Sequence, residues 1–398
     1  MAIAFAIPVW KELLPLMIIL LVLNWLVAGE YIKTVPLIFK EKQRTLIFSF
    51  SFLYFLYLIG LIHTTNFQYA REDLELKLSM LIFPLIFATS EIPAFSAKET
   101  GLVLRSFGAG CIAGSLILIG RAVYQSIFIH EAGAFYYTSL GWNFHPSYYA
   151  MYLVFALSNI IYFVFIRKSV HGFPNMAMHI AVLLFFTLMV VLLSSKAGLL
   201  VWLSVVGFYI AILIFKYKRW HAGMGFGAVA VAVFILFLIV FPTAAGRISQ
   251  AKQDIASADT TVNAGRSTGD RVLIWKSSKE IIRQNFLFGV GTGDIRDKLT
   301  EEYNKSDAMG ALKHYLNAHN QYVQTLIAIG LAGLLVLLTM IIAPAILALK
   351  RENYLYFAFL FIFGISMFFE SMFERQEGVV FYLFFNTLLF SMGGVDPD

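Results

Sequence analysis

The side chains best suited to chemistry stand where an apolar run begins. His319 and Asn320 head the stretch "HNQYVQTLIAIGLAGLLVLL". Histidine changes charge near neutral pH, so it is the natural candidate for taking or holding a proton. Eleven residues further on, Gly330 falls about three turns and 16 Å below it, on the same helix face. Gly333 lies close to that face. Glycines there let a second helix approach closely. The expectation is that Gly330 and Gly333 set the rotation of this helix, that Asn320 supports its head, and that His319 is aimed as a result. A plain interfacial histidine above a glycine seam would be written with the same letters. The polar loop and the cations just upstream favour chemistry.

Four cations are candidates to meet an anion beside that histidine. Arg271 opens "DRVLIWKSSKEIIRQNFLF", and Arg266 lies in the turn before it. Arginine presents a planar fork that matches phosphate oxygens. Lys196 follows two serines between apolar runs, where a cation is functional unless it snorkels to the interface. Arg121 lies near the outer end of the fourth apolar segment, within reach of a site or of a lipid headgroup. Glu370, Glu374 and Arg375 crown the penultimate segment and are expected to form an ion-pair network supporting the outer face. His145 precedes Pro146, an ordinary helix start.

Several chemistries find no support. "GVGTGD" is not the G-x-G-x-x-G of a dinucleotide site and is read as a tight turn whose N–H groups could face an anion. No His/Cys/carboxylate cluster has metal-ligand spacing, and no nucleophile elbow is present. No metal, cofactor or nucleic-acid partner is expected.

The elements that must position these residues follow from composition. The chain of 398 residues is 59% hydrophobic and 14% charged, against about 25% charged in soluble domains. Its mean hydropathy is +0.76. Apolar segments near 13–29, 45–63, 76–92, 102–126, 146–166, 174–194, 197–216, 223–242, 320–348, 353–371 and 378–393 have roughly the 20-residue length needed to cross a bilayer. Backbone groups in lipid must pair within the segment, so these are helices. The fold class is an all-α polytopic membrane protein: one membrane domain over 1–398, with about 11 spans, or 12 if residues 1–9 are the stump of another. The start of the chain has neither a basic n-region nor a small-x-small cleavage site, so no removable signal peptide is expected. The only cysteine, Cys111, lies in an apolar run. The net charge of +6 sits largely in loops. "KTVPLIFKEKQR", "IRKSVHG", "KYKRWH" and "LKRE" alternate along the chain and belong on the cytoplasmic side. The opposite face then carries the "SSK" break, the "FERQEG" loop and a large loop over 243–318, which holds about twenty of the charged residues. Within that loop Val272, Trp275, Ile282 and Phe286 share a helical face, predicting an amphipathic helix on the membrane or on the bundle, and "DIRDKLTEEYNKSD" predicts a second, polar one. No nucleotide sugar or ATP is expected on that face, which favours a lipid-linked donor.

These motifs together resemble a known family. "GDRVLIW", then "FLFGVGTGD", then His-Asn with nine residues before "GLAG", the "SSK" break and the closing "ERQEGVVFYLFF" are similar to the O-antigen ligase superfamily. The superfamily comprises O-antigen ligases, O-antigen polymerases and protein O-oligosaccharyltransferases. The likeness implies a C-type membrane glycosyltransferase of the bacterial inner membrane, acting without metal at the periplasmic face. Its donor would be a glycan on undecaprenyl diphosphate and its acceptor a hydroxyl of lipid A–core, both presented among membrane lipids. Arg271 matches the family's loop arginine, expected on the diphosphate, and His319 its essential histidine, a base or orienter for the acceptor. Lys196 stands where ligases commonly carry arginine after serine, keeping the charge but losing the bidentate fork. A ligase is the first expectation and a polymerase the second. A lipid or sugar transporter is the alternative of another class, for which internal repeats and interrupted helices near the midplane would be the signs.

Overall fold

Every apolar run becomes a helix in the computed structural model, which describes residues 1–90, 96–169, 171–241, 246, 267–306 and 308–391. No strand occurs among the described residues. Among the described residues eight helical stretches are long and apolar enough to cross a membrane: Lys11–Ala28, Lys42–His63, Lys98–Ile129, Pro146–Ile166, Phe173–Leu192, Lys196–Lys216, Trp220–Phe237 and Gln321–Lys350. In the other three expected spans the described helices are shorter than a full crossing. Ser79–Thr89, Tyr354–Ser366 and Gln376–Ser391 have 11, 13 and 16 residues, or roughly 16–24 Å against a core of about 30 Å. Ser79–Thr89 stops where Ser90 turns extended. Tyr354–Ser366 stops because the apolar residues after it serve another purpose. The backbone of Met367 and Phe373 pairs with Gln321 instead of continuing the helix.

The chain forms two compact units, each of three segments. The first comprises 1–17, 98–249 and 348–366. Its centre is the helix Pro146–Ile161, buried along nearly its whole length. Gly198 brings the helix Lys196–Ala211 so close that an added Cβ would lie 2.4 Å from that of Ala150. Phe155 meets Phe359 edge-on, which packs Tyr354–Ser366 against the same central helix. Residues 1–9 cross nothing. They form the short helix Ala2–Ala6, and the backbone of Phe5 and Pro8 rests on Gly110 and Gly114, where any Cβ would collide.

The second unit comprises 18–97, 250–347 and 367–398. Phe83 and Phe87 both meet Phe384, joining Ser79–Thr89 to Gln376–Ser391. The loop helices belong here: Ser267–Gln284, Ile295–Lys305 and the short Met309–Lys313. The amphipathic helix has two usable faces. Ile274, Ser277, Ser278 and Ile281 are buried. Trp275 and Phe286, on the face that sequence periodicity picked out, are exposed, as are Leu287 and Phe288. The apolar pattern therefore marks the less buried side, while serines allow close packing on the other.

Gly330 has a role different from the expected helix seam. The helix Gln321–Lys350 breaks at Ile329 and Gly330, with Gly330 at φ +65 and ψ −160, a region essentially reserved for glycine. What approaches is the turn after the amphipathic helix. Leu287 O would lie 2.2 Å from a Cβ on Gly330. Val290 N donates to Ile327 O at 2.8 Å, Gly291 N to Ala328 O at 3.0 Å, and Leu331 N to Phe286 O at 2.9 Å. The atoms nearest a Cβ on Gly333 belong to Ile329 and Thr325 of its own helix. Gly330→Ala should therefore cost at least about 1–3 kcal/mol of stability, read as a lowered thermal transition. Gly207→Ala, helical and open on all sides, should be neutral or slightly stabilising in the same measurement.

Candidate functional site

The head of the broken helix is built by capping. Asn320 Oδ1 accepts from Val323 N at 3.1 Å, satisfying one of the donors every helix start leaves open. Capping at Asn320 places His319 just outside the helix, where its backbone is left-handed at φ +45. A non-glycine residue adopts this conformation only when its surroundings impose it. Here they do. His319 N donates to Asn317 Oδ1 at 3.0 Å, Ala318 N to Gln324 Oε1 at 3.0 Å, and Asn320 N to Ser371 Oγ at 3.3 Å. Asn320 thus caps the helix and ties its start to Ser371.

Glu370 joins the two principal candidates. Its Oε2 lies 3.0 Å from His319 Nδ1 and its Oε1 accepts from Arg271 Nη2 at 2.8 Å. The Glu370 side chain is 5% exposed, against 21% for His319 and 22% for Arg271. A buried carboxylate thus holds two side chains that both reach solvent. An ionised Glu370 holds the proton of a neutral His319 on Nδ1, which leaves the Nε2 lone pair for other work. Among the described residues no group is hydrogen-bonded to Nε2. Trp275, one turn after Arg271, donates from Nε1 to Ala318 O at 3.1 Å. Arg-x-x-x-Trp is therefore a two-point connection: side chains at i and i+4 on one helix face reach Glu370 and the carbonyl of Ala318. Sequence reading assigned Glu370 to a supporting ion-pair network. Its pairing with both Arg271 and His319 has no local signature, because the partners lie 99 and 51 positions away.

A second charged cluster lies in the same unit. Lys77 is fully buried between Asp73 and Glu374. It donates to Asp73 Oδ1 and, at 3.0 Å, to Glu374 Oε1. Its ammonium also sits 4.8 Å from the Tyr57 ring centroid. Glu374 thus pairs with Lys77, and Arg375, expected in the same network, is exposed. Asp73 and Lys77 were overlooked, although four-residue spacing of opposite charges in "REDLELK" is a usable signal. Asp73 stands in the polar helix Phe67–Lys77, outside the spans. Burial pushes its carboxyl up to about 7, with Lys77 opposing and Glu374 adding to the rise.

The remaining candidates are placed as follows. Lys196 belongs to the first unit and opens the helix Lys196–Ala211, where the macrodipole disfavours a cation. Ser195 caps that helix through Gly198 N and meets Ser147 Oγ at 3.1 Å, while Ser194 is left-handed at φ +47. Arg121, also in the first unit, donates to Ser139 O at 2.9 Å and lies over the Trp142 ring. Arg266 falls outside the described residues. Most N–H groups of "GVGTGD" are taken within the protein, beginning with Gly289 N, which donates to Asn285 O. Val290 and Gly291 donate to the broken helix, Gly293 to Thr64 Oγ1 and Asp294 to Gly291 O. The Asp294 carboxylate takes the backbone N–H groups of Thr65 and Asn66.

Residues 180–338 match the model of a protein family described as O-antigen ligase. This supports membership of the chain in the O-antigen ligase superfamily. An uncharacterized protein of Haemophilus influenzae is 24% identical over 322 residues, covering 79% of this chain and 75% of that protein. The family match contains Lys196, Arg271 and His319 and ends before Glu370.

Two outcomes follow for the buried cluster. Lys77→Met leaves two carboxylates buried without their cation and should cost about 3–5 kcal/mol, read as loss of the thermal transition. The raised Asp73 carboxyl favours the protonated form in the fold. Its contribution to stability is full below the ordinary value of 3.8 and is lost as pH rises through about 7. The transition temperature of the unaltered protein should therefore fall more steeply over that window than that of Asp73→Asn.

Proposed function

We propose that this member of the O-antigen ligase superfamily transfers a glycan from undecaprenyl diphosphate to a hydroxyl of lipid A–core at the periplasmic face of the inner membrane. The observation that carries the reading is the Glu370 carboxylate shared by His319 and Arg271. It puts a potential base and a phosphate-binding cation on one rigid anchor. In the reaction the acceptor oxygen attacks the anomeric carbon and the bond from that carbon to the diphosphate oxygen breaks. The acceptor proton passes to His319 Nε2 while Glu370 steadies the imidazolium that forms. The diphosphate departs as an anion whose growing charge Arg271 meets. One guanidinium nitrogen is engaged by Glu370, and the fork geometry leaves others to reach phosphate oxygens. The sequence expectation adds Lys196, Arg266 and Arg121 as further donor-binding cations; Lys196 and Arg121 belong to the first unit, and Arg266 lies outside the described residues.

An O-antigen polymerase would use the same donor and differ in acceptor. The broken helix Gln321–Lys350 also resembles a transporter device. Its interruption does not favour transport, because Ile327 O and Ala328 O accept from Val290 and Gly291 and are not turned to an ion or solute.

A transfer assay with the purified protein, lipid-diphosphate glycan and lipid A–core tests the proposal. His319→Ala should lower turnover by about 10²–10⁴-fold, and Arg271→Ala should abolish transfer. Glu370→Gln, which keeps the shape and removes the charge, should lower turnover by at least about 10²-fold. Lys196→Arg should retain activity and Lys196→Ala should lose it. Full activity in His319→Ala sinks the assignment of a base, and label appearing on a lengthened donor chain identifies a polymerase.

A further inference from the structure

Next to the His319 loop the second unit forms a half-open pocket of about 170 Å³. Its polar lining comes from Tyr69, Arg296, Tyr315, Asn317, Gln324 and Glu374, over an apolar floor that includes Leu299.

The lining is specific in hydrogen-bond terms. Asn317 and Gln324 have their carbonyl oxygens taken by the N–H groups of His319 and Ala318. Each therefore presents an NH₂ group as donor. Glu374 Oε1 is held by Lys77 at 3.0 Å, and among the described residues no group is bonded to its Oε2, an acceptor. The Arg296 guanidinium lies 4.6 Å from the Tyr315 ring centroid, which fixes its plane and leaves its N–H edge for a ligand. Donors and an acceptor thus share the lining with apolar residues, which suits a ring bearing hydroxyls on its rim and C–H groups on its face. Charge narrows the choice. Arg296 and Glu374 share the wall, so an anion meets the carboxylate and a cation meets the guanidinium. The ligand that fits is neutral.

We propose that this cavity is a subsite for one uncharged sugar ring of the glycan substrate, a proposal that rests on the glycosyl-transfer reading above. Asn317 makes it more than a storage pocket. The same amide that would donate to a sugar hydroxyl accepts the N–H of His319. Occupancy therefore steadies the left-handed residue that carries the proposed base. The ring belongs to either the acceptor or the donor glycan, and kinetics separates the two.

Two measurements on the full chain in detergent test the proposal. Saturation-transfer NMR with glucose, galactose and N-acetylglucosamine should show at least one of them bound. The signal should be lost in Arg296→Ala and in Tyr315→Asn, the latter chosen because asparagine tolerates the left-handed backbone at φ +46. Both variants should keep the thermal transition, since both side chains are exposed. In the transfer assay the same variants should raise KM about ten-fold, near the loss of one good contact, for acceptor or for donor but not both, with kcat largely retained. No sugar signal in the unaltered protein, or one undiminished in both variants, overturns the subsite. Sugar binding without any transfer would instead refute the glycosyltransferase reading and leave the subsite standing.

Discussion

Glu370 is the residue on which the proposed site depends. A carboxylate so nearly removed from water is stable only with close partners, and its partners include the arginine of the amphipathic helix and the histidine ahead of the broken helix. Three remote segments are thereby held to one point. Trp275 repeats the connection one turn further along, through the carbonyl of Ala318. The left-handed backbone at His319 is the strained element in this arrangement. It persists because Asn317, Asn320, Ser371 and Gln324 each hold a neighbouring backbone group.

The second constraint is the need to pair every backbone group in apolar surroundings. Breaking a membrane-length helix at Gly330 frees carbonyls at Ile327 and Ala328. The glycine-rich turn supplies the missing donors and is itself held by Thr64, Thr65 and Asn66. The break and the turn are one device, in which each satisfies the other's polar groups. Its consequence reaches the site, because the turn directly follows the helix that carries Arg271. A rigid seat for the turn is a rigid seat for the arginine.

Much of this was legible in the residues. The apolar runs marked every membrane helix, and the loop helices fell where periodicity placed them. His319, Asn320 and Arg271 stood out by type and spacing, and the structure brings all three together. Glycine at 330 was recognised as special, but for the wrong partner. The letters show that a Cβ is excluded and cannot show whether a helix or a turn excludes it. Glu370 looked like one carboxylate among several, and Lys77 looked like the edge of a span.

The division follows from the range of the forces. Helix formation in an apolar setting is local, since each N–H pairs four residues away, so length and composition determined it. Capping by Asn320 and the left-handed step before it are nearly as local. Which cation meets which carboxylate is not local. Arg271, His319 and Glu370 are distant in the chain, as are Lys77 and Glu374. A pairing between them exists only once packing has brought the segments together, and that choice belonged to the tertiary structure alone.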